Sequence, residues 1–167
     1  KETGISIMKI IPKLDAGPVM MRSKIKISKN SNLKNLSKEL SSLGADKILE
    51  SLDLIERNLE NFIDQDEKEA SYAKKIEKTE SKIDWSVEAN KVIAKINALY
   101  PNPGTWFEYK GSRVKIIKAI EVKKNGRPGQ ILDKKFTIAC SKNAIQVLEL
   151  QKEGKRTMNV TEYLKGN

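Results

Sequence analysis

From Thr105 to Leu150, short apolar runs are interrupted by turn chemistry every eight to twelve residues, and that spacing leaves few folds open. Runs at 106–109, 114–122, 130–132, 136–140 and 144–150 are each of strand length, with Lys110-Gly111 and the 125–129 segment as turns between them. No helix of ordinary length fits between such breaks. The pattern predicts a small antiparallel barrel. Just before it, Val87, Val92, Ile93, Ile96 and Leu99 recur at helical spacing over 87–99, with Asp84 or Ser86 available as cap and Pro101 and Pro103 as the stop. Thr161 is placed to cap a last turn, 162–165, closed by Gly166.

The first third of the chain has a different rhythm. Residues 4–11 read as a buried strand. In 19–27, Val19, Met21, Ile25 and Ile27 alternate with Arg22, Lys24 and Lys26, the signature of a strand with one wet face. Ser31 or Asn32 is suited to cap a helix carrying Leu33, Leu36, Leu40, Leu43, Ile48, Leu52 and Ile55. Gly44 marks a possible break in it, at a cost of about 1 kcal/mol relative to alanine. This unit has too little apolar surface to fold alone and reads as the last third of an α/β domain. Lys1-Glu2-Thr3-Gly4 shows neither an initiator methionine nor the plan of a signal peptide. Together these lead us to expect further chain upstream.

Composition narrows the function classes. No run approaches the roughly 18 apolar residues of a membrane span, and no protein partner is implied. There is no histidine and a single cysteine, so the usual zinc ligand sets are out of reach, as is an intrachain disulfide. Cys140 lies in an apolar run and reads as strand core. One thiol also suits a reducing cytoplasm. The net charge is +10 and unevenly spread. Residues 1–62 hold 11 basic and 8 acidic side chains (+3), 63–85 hold 5 and 7 (−2), and 86–167 hold 16 and 7 (+9). Nearly all of the excess lies in the last half, which points to a polyanion partner there. Lys74, Lys75 and Lys78 lie along the exposed 63–85 segment, which reads as a linker. Arg113 and Lys115 alternate with Val114 and Ile116, Ile117 breaks the alternation before Lys118, and Lys155 and Arg156 occupy a turn. Trp85, Trp106, Phe107 and Tyr109 are stacking candidates, although Trp106, after two prolines, reads better as an anchor between helix and barrel.

One carboxylate stands apart. Asp15 sits in Leu14-Asp15-Ala16-Gly17-Pro18 between two apolar strands. On spacing alone an Asp before Gly-Pro is a turn residue, with Gly17 serving the turn or a close backbone approach.

Four stretches change that reading when taken in order: Glu2-Thr3-Gly4-Ile5-Ser6-Ile7-Met8 with Leu14-Asp15-Ala16-Gly17; Tyr72-Ala73-Lys74-Lys75-Ile76 through Ile83-Asp84-Trp85-Ser86; Tyr100-Pro101-Asn102-Pro103 with Trp106; and Leu150-Gln151-Lys152-Glu153-Gly154-Lys155-Arg156-Thr157-Met158. Together they resemble the bacterial methionyl-tRNA formyltransferases. The resemblance implies transfer of a formyl group from 10-formyltetrahydrofolate to the methionine amine of initiator methionyl-tRNA. It implies an α/β plus β-barrel architecture: the end of a Rossmann-like catalytic domain over 1–62, a linker over 63–85, and an OB-like tRNA-binding domain over 86–167. It assigns Asp15 to the family's catalytic aspartate, whose asparagine and histidine partners have no counterpart in these residues. The chain alone is therefore expected to be inactive. Lys74, Lys75, Lys78, Arg113, Lys115, Lys118, Lys155 and Arg156 become candidate tRNA contacts, and no metal is implied. Two alternatives stay open: a sugar-nucleotide formyltransferase, which shares the Asp15 motif, and a non-catalytic RNA-binding module.

Overall fold

The computed structural model describes residues 1–166. They form two compact units, Lys1–Lys75 and the unit that begins at Ile76.

In the first unit, β1 (Glu2–Met8) and β2 (Val19–Lys26) pair antiparallel, Ile5 opposite Ser23 and Ile7 opposite Met21. β1 ends at Met8, not at Ile11. Ile10 and Ile11 lie exposed in the loop that follows, and β1 itself is only half-buried. The long helix α1 (Leu33–Glu56) is capped by Asn32, whose side chain accepts the Asn35 N–H at 3.0 Å. It runs through Gly44 without a break. A Cβ added there would meet nothing within 4 Å, so this glycine serves no kink. Leu36, Leu40, Leu43 and Leu54 are the sheltered apolar positions, and Lys47 and Ser51 continue their stripe. Ser51 is buried and satisfies its hydroxyl on the Lys47 carbonyl at 2.8 Å. Ile48, Leu52 and Ile55 were expected on the same face but are exposed. The five-residue step from Leu43 to Ile48 puts them off the 3.6-residue period.

The 63–85 segment is mostly irregular, with short 3-10 turns at Glu67–Glu69 and Lys78–Ser81. Each end is fastened within its own unit. Ile63 exchanges backbone hydrogen bonds with Val19 at 2.8 and 2.9 Å, and the Ile83 N–H donates to the Trp106 carbonyl at 2.8 Å.

The second unit opens with α2 (Ala89–Leu99), entered through Glu88. Asp84 is not its cap. Its carboxylate instead accepts from the Ser86 N–H at 2.9 Å and the Ser86 hydroxyl at 2.6 Å, a local turn that competes successfully for the side chain. The Tyr100–Pro101 and Asn102–Pro103 peptides after α2 are cis. Then come β3 (Thr105–Tyr109), β4 (Ser112–Val122), β5 (Thr137–Ala139), β6 (Ala144–Lys152), β7 (Thr157–Asn159) and α3 (Val160–Lys165). They make a curled antiparallel sheet in the order β3-β4-β6-β5, with β7 also on β6.

Three local readings need correction. Residues 130–132 contribute only a bridge, Ile131 to Ile138. The stretch after Arg156 supplies a strand the sequence did not suggest. α3 begins behind Asn159, with Thr161 already inside it. The core combines Val92 and Ile96 of α2 with Phe107, Val114, Ile116, Ile138, Ile145, Val147 and Leu150 of the sheet. Apolar residues at alternate strand positions face one side, so the helix and sheet bury a common surface. Cys140 is buried with them, and burial pushes its thiol up to about 11, which makes it an inert core residue.

Asp133 ties down the approach to β5. Its Oδ2 lies 2.6 Å from Lys124 Nζ, and Oδ1 accepts from the N–H groups of Lys135 at 2.9 Å and Thr137 at 3.3 Å. Chiefly through Lys124, these bonds pull the carboxyl down to about 2. A depressed folded-state value adds stability above the ordinary aspartate range and loses it as pH falls through the folded value. Melting temperature is therefore expected to drop as pH falls from about 4 to about 2, and Asp133→Asn is expected to flatten that drop. Coincident acid melting profiles for the two proteins would remove Asp133 from the account.

Candidate functional site

Two places carry the residues singled out above, one in each unit. The first is the loop between β1 and β2. Its base is closed by the Lys9 N–H donating to the Pro18 carbonyl at 3.0 Å. Asp15 is exposed and has φ +53°, a left-handed conformation that Asp tolerates better than most side chains. Gly17 is buried with negative φ, and the reason for glycine is proximity: a Cβ there would fall on the Lys9 carbonyl oxygen.

Gln65 finishes the loop. Its side-chain amide donates to the Asp15 carbonyl at 3.0 Å and the Gly17 carbonyl at 2.8 Å. One amide thus clamps two loop carbonyls and fixes the backbone that carries the Asp15 carboxylate. Sequence reasoning placed residue 65 in a linker and missed this role, since a side chain 50 positions away leaves no local signal. Lys13 and Glu67 add an exposed ion pair between the same two segments. Mutual hydrogen bonding holds the lysine above its ordinary value and the glutamate below its own. Beside this clamp, Gln65 also lines an open cavity of about 420 Å³ together with Met20, Met21, Arg22 and Asp64.

The second place is the outer face of the curled sheet. Arg113 and Lys115 do point away from the core, alternating with the buried Val114 and Ile116. The irregularity at Ile117 is a register shift between Ile116 and Ala119. Such a bulge changes the phase of a strand, and here it leaves Lys118 exposed while Ala119 packs against the core. Arg113 and Lys115 line a shallow cleft of about 230 Å³ with Gln151, Lys152, Glu153 and Gly154. Lys155 and Arg156 are exposed at the β6–β7 turn, Arg156 paired with Glu162 at 3.1 Å. Lys74 and Lys75 are exposed at the end of the first unit, and Lys78 opens a 3-10 turn in the second. Of the eight candidate basic residues, the cleft brings together only Arg113 and Lys115. Lys152 and Gln151 join them and were not singled out from sequence.

Trp106 reads from the sequence as an anchor between helix and barrel. In the core itself the tryptophan is Trp85, edge-on to Phe107 with ring centroids 5.4 Å apart. Trp106 instead lies outside the core cluster, with the Arg113 guanidinium carbon 3.9 Å from its ring centroid and Lys82 Nζ at 5.4 Å. The register explains it: Phe107 points inward, so its neighbour Trp106 must point outward.

Among the described residues no group of three His, Cys, Asp or Glu side chains could hold a metal ion, and no helix is long and apolar enough to cross a membrane. The chemistry on offer is a clamped, accessible carboxylate in one unit and a cationic face suited to phosphates in the other.

Residues 75–167 match the formyl transferase, C-terminal domain. The chain is 42% identical to a methionyl-tRNA formyltransferase of Pelagibacter ubique over 100% of its own length and 54% of that protein's, so it spans about half the length of this curated relative. Among solved structures, HypX from Aquifex aeolicus in complex with tetrahydrofolic acid aligns with a TM-score of 0.75 at 19% identity, over 98% of this chain and 30% of HypX. An N-formyltransferase from Helicobacter canadensis, in complex with folinic acid and dTDP-3-aminofucose, aligns at a TM-score of 0.69 and 18% identity over 90% of this chain and 56% of its own. At such identities the two structures speak for the fold alone.

Proposed function

The chain belongs to the formyl transferase family, whose C-terminal domain it carries, and from that premise we propose that it is part of a methionyl-tRNA formyltransferase. The reaction is transfer of the formyl group of 10-formyltetrahydrofolate to the amine of methionine on initiator tRNA, in the cytoplasm, at the start of translation. The observation that carries this reading is the whole-length similarity to a protein of that name at 42% identity. The basic outer face of the sheet gives it physical support, because a tRNA acceptor presents many phosphates to an extended basic surface, whereas a sugar nucleotide offers only its diphosphate. A folate donor agrees with HypX, a protein solved in complex with tetrahydrofolic acid, 30% of which shares the fold of this chain.

In this reading residues 1–62 close a Rossmann-like catalytic domain, 63–85 connect it, and 86–167 form an OB-like tRNA-binding domain. The methionyl amine must be neutral to attack the formyl carbon, and the tetrahedral intermediate carries an oxyanion that a donor must stabilise. Asp15 takes a supporting part. Its carboxylate orients the group that moves the proton and keeps that group basic, directly or through a water. Gln65 holds the Asp15 backbone in place for this. Lys74, Lys75, Lys78, Arg113, Lys115, Lys118, Lys155 and Arg156 contact tRNA phosphates, which position the substrate without reading its sequence.

The test is a formylation assay on the longer protein with methionyl initiator tRNA and, separately, an amino-sugar nucleotide as acceptor. We expect turnover with the tRNA alone. Turnover with the sugar nucleotide and none with tRNA would overturn the reading in favour of the enzyme class that the Helicobacter canadensis protein represents.

A further inference from the structure

Across β3, β4, β6 and β7, the residues Trp106, Lys115, Gln151 and Thr157 are successive Cα partners, a single row over the outer face of the sheet. Arg113 sits two positions before Lys115 on the same face, its guanidinium laid over the Trp106 ring at 3.9 Å. No ion pair within 4.0 Å holds Arg113 among the described residues. Its cross-strand neighbour Glu108 lies instead 3.7 Å from Lys82. The stem of Lys115 lies close to Gly104, where an added Cβ would meet its Cδ at 3.4 Å. Two cations are thus steered by their surroundings toward one cleft.

We propose that Trp106 is the positioning residue of an RNA-phosphate site, holding the Arg113 guanidinium by its face so that its N–H edges serve one backbone phosphate in the cleft beside Lys115 and Gln151. This rests on the tRNA reading above and adds to it a part for an aromatic residue that touches no phosphate itself. A free arginine side chain must surrender rotamer freedom to bind, whereas one already stacked on an indole has less to lose. Stacking occupies the π face of the guanidinium and leaves the planar fork of donors for a bidentate contact. Lys82 shares the same ring, 5.4 Å from the centroid, with its charge offset by Glu108, which leaves Arg113 as the cation free for the phosphate.

The experiment uses the longer protein of the formylation assay and unfractionated tRNA, with binding followed across a salt series and folding checked by thermal melting. An exposed cation–π contact corresponds to roughly a two- to fivefold effect. Trp106→Ala is expected to weaken binding by that factor, and Arg113→Lys, which keeps the charge and loses the planar stack, by a similar one. Arg113→Ala is expected to cost about tenfold and to reduce the salt slope by about one phosphate contact. The decisive comparison is the double variant: Trp106→Ala with Arg113→Ala should bind no worse than Arg113→Ala alone. Trp106→Phe, which restores an aromatic face, should recover most of the affinity. Additive losses in the double variant, or unchanged binding in Trp106→Ala, would overturn the proposal while leaving the tRNA reading intact. Failure of the unaltered protein to bind tRNA at low salt would overturn both.

Discussion

Phe136→Ala is expected to destabilise the second unit by about 3–5 kcal/mol, enough to lower its melting temperature by on the order of 15 °C or more. The ring is 1% exposed and central to an aromatic cluster. Tyr109 meets it edge-on at 5.1 Å, Tyr163 lies at 5.8 Å, and Phe107 at 6.3 Å. Removing it empties the space where β3, β5 and α3 converge. The backbone adds a second, sharper expectation. Phe136 has φ +61°, a conformation in which a Cβ is costly by about 1–2 kcal/mol. Phe136→Gly removes the same ring but also that strain, so it is expected to be at least as stable as Phe136→Ala. This inverts the usual ranking of the two residues. Urea or thermal unfolding of the three proteins checks both points. A Phe136→Ala protein that melts within about 2 °C of the parent would show that the ring does not hold the core together.

The same residue shows what the sequence could and could not reveal. That Phe136 is core was legible, since it opens an apolar run of strand length. Its left-handed backbone was not, although a local turn precedes it, closed by the Phe136 N–H donating to the Asp133 carbonyl at 3.3 Å. Strands β2 and β4 were legible because each buries one face, and alternation is a local signal. Even the bulge in β4 announced itself as a break in alternation at Ile117. Long-range pairings leave no such mark. Gln65 over the Asp15 loop, Arg113 on Trp106, and β7 against β6 all depend on where the chain returns in space. In α1 the seven apolar residues at spacings of three to five do not form one stripe, because the step from Leu43 to Ile48 departs from the helical period. At Asp84 two local uses competed, a helix cap and a turn, and composition alone does not decide between them.

In the longer protein, Asp15→Asn is expected to lower formyl-transfer turnover by roughly a hundredfold without changing stability. That loss is of the order a proton-transfer group contributes, here felt through its supporting carboxylate. Asparagine has nearly the same shape, and it accepts the left-handed backbone that φ +53° demands. The Gln65 clamp reaches the Asp15 carbonyl rather than its side chain, so the substitution leaves that bond untouched. The charge alone is removed. The effect should therefore fall on kcat, with KM for tRNA unchanged, because the cationic face proposed for phosphates belongs to other residues. Gly17→Ala supplies the contrast. Its Cβ would land on the Lys9 carbonyl oxygen, and since the obstacle is backbone, the loop itself must move. A displacement of about 1 Å at a reacting group can also cost on the order of a hundredfold, but here it should come with a lowered melting temperature. Equal turnover in Asp15→Asn and the parent would make the carboxylate an ordinary turn residue. Loss only in Gly17→Ala would place the importance of this loop in its shape. Loss in Asp15→Asn at unchanged stability puts it in the charge, which is the outcome expected of a backbone clamped this firmly to present one exposed carboxylate.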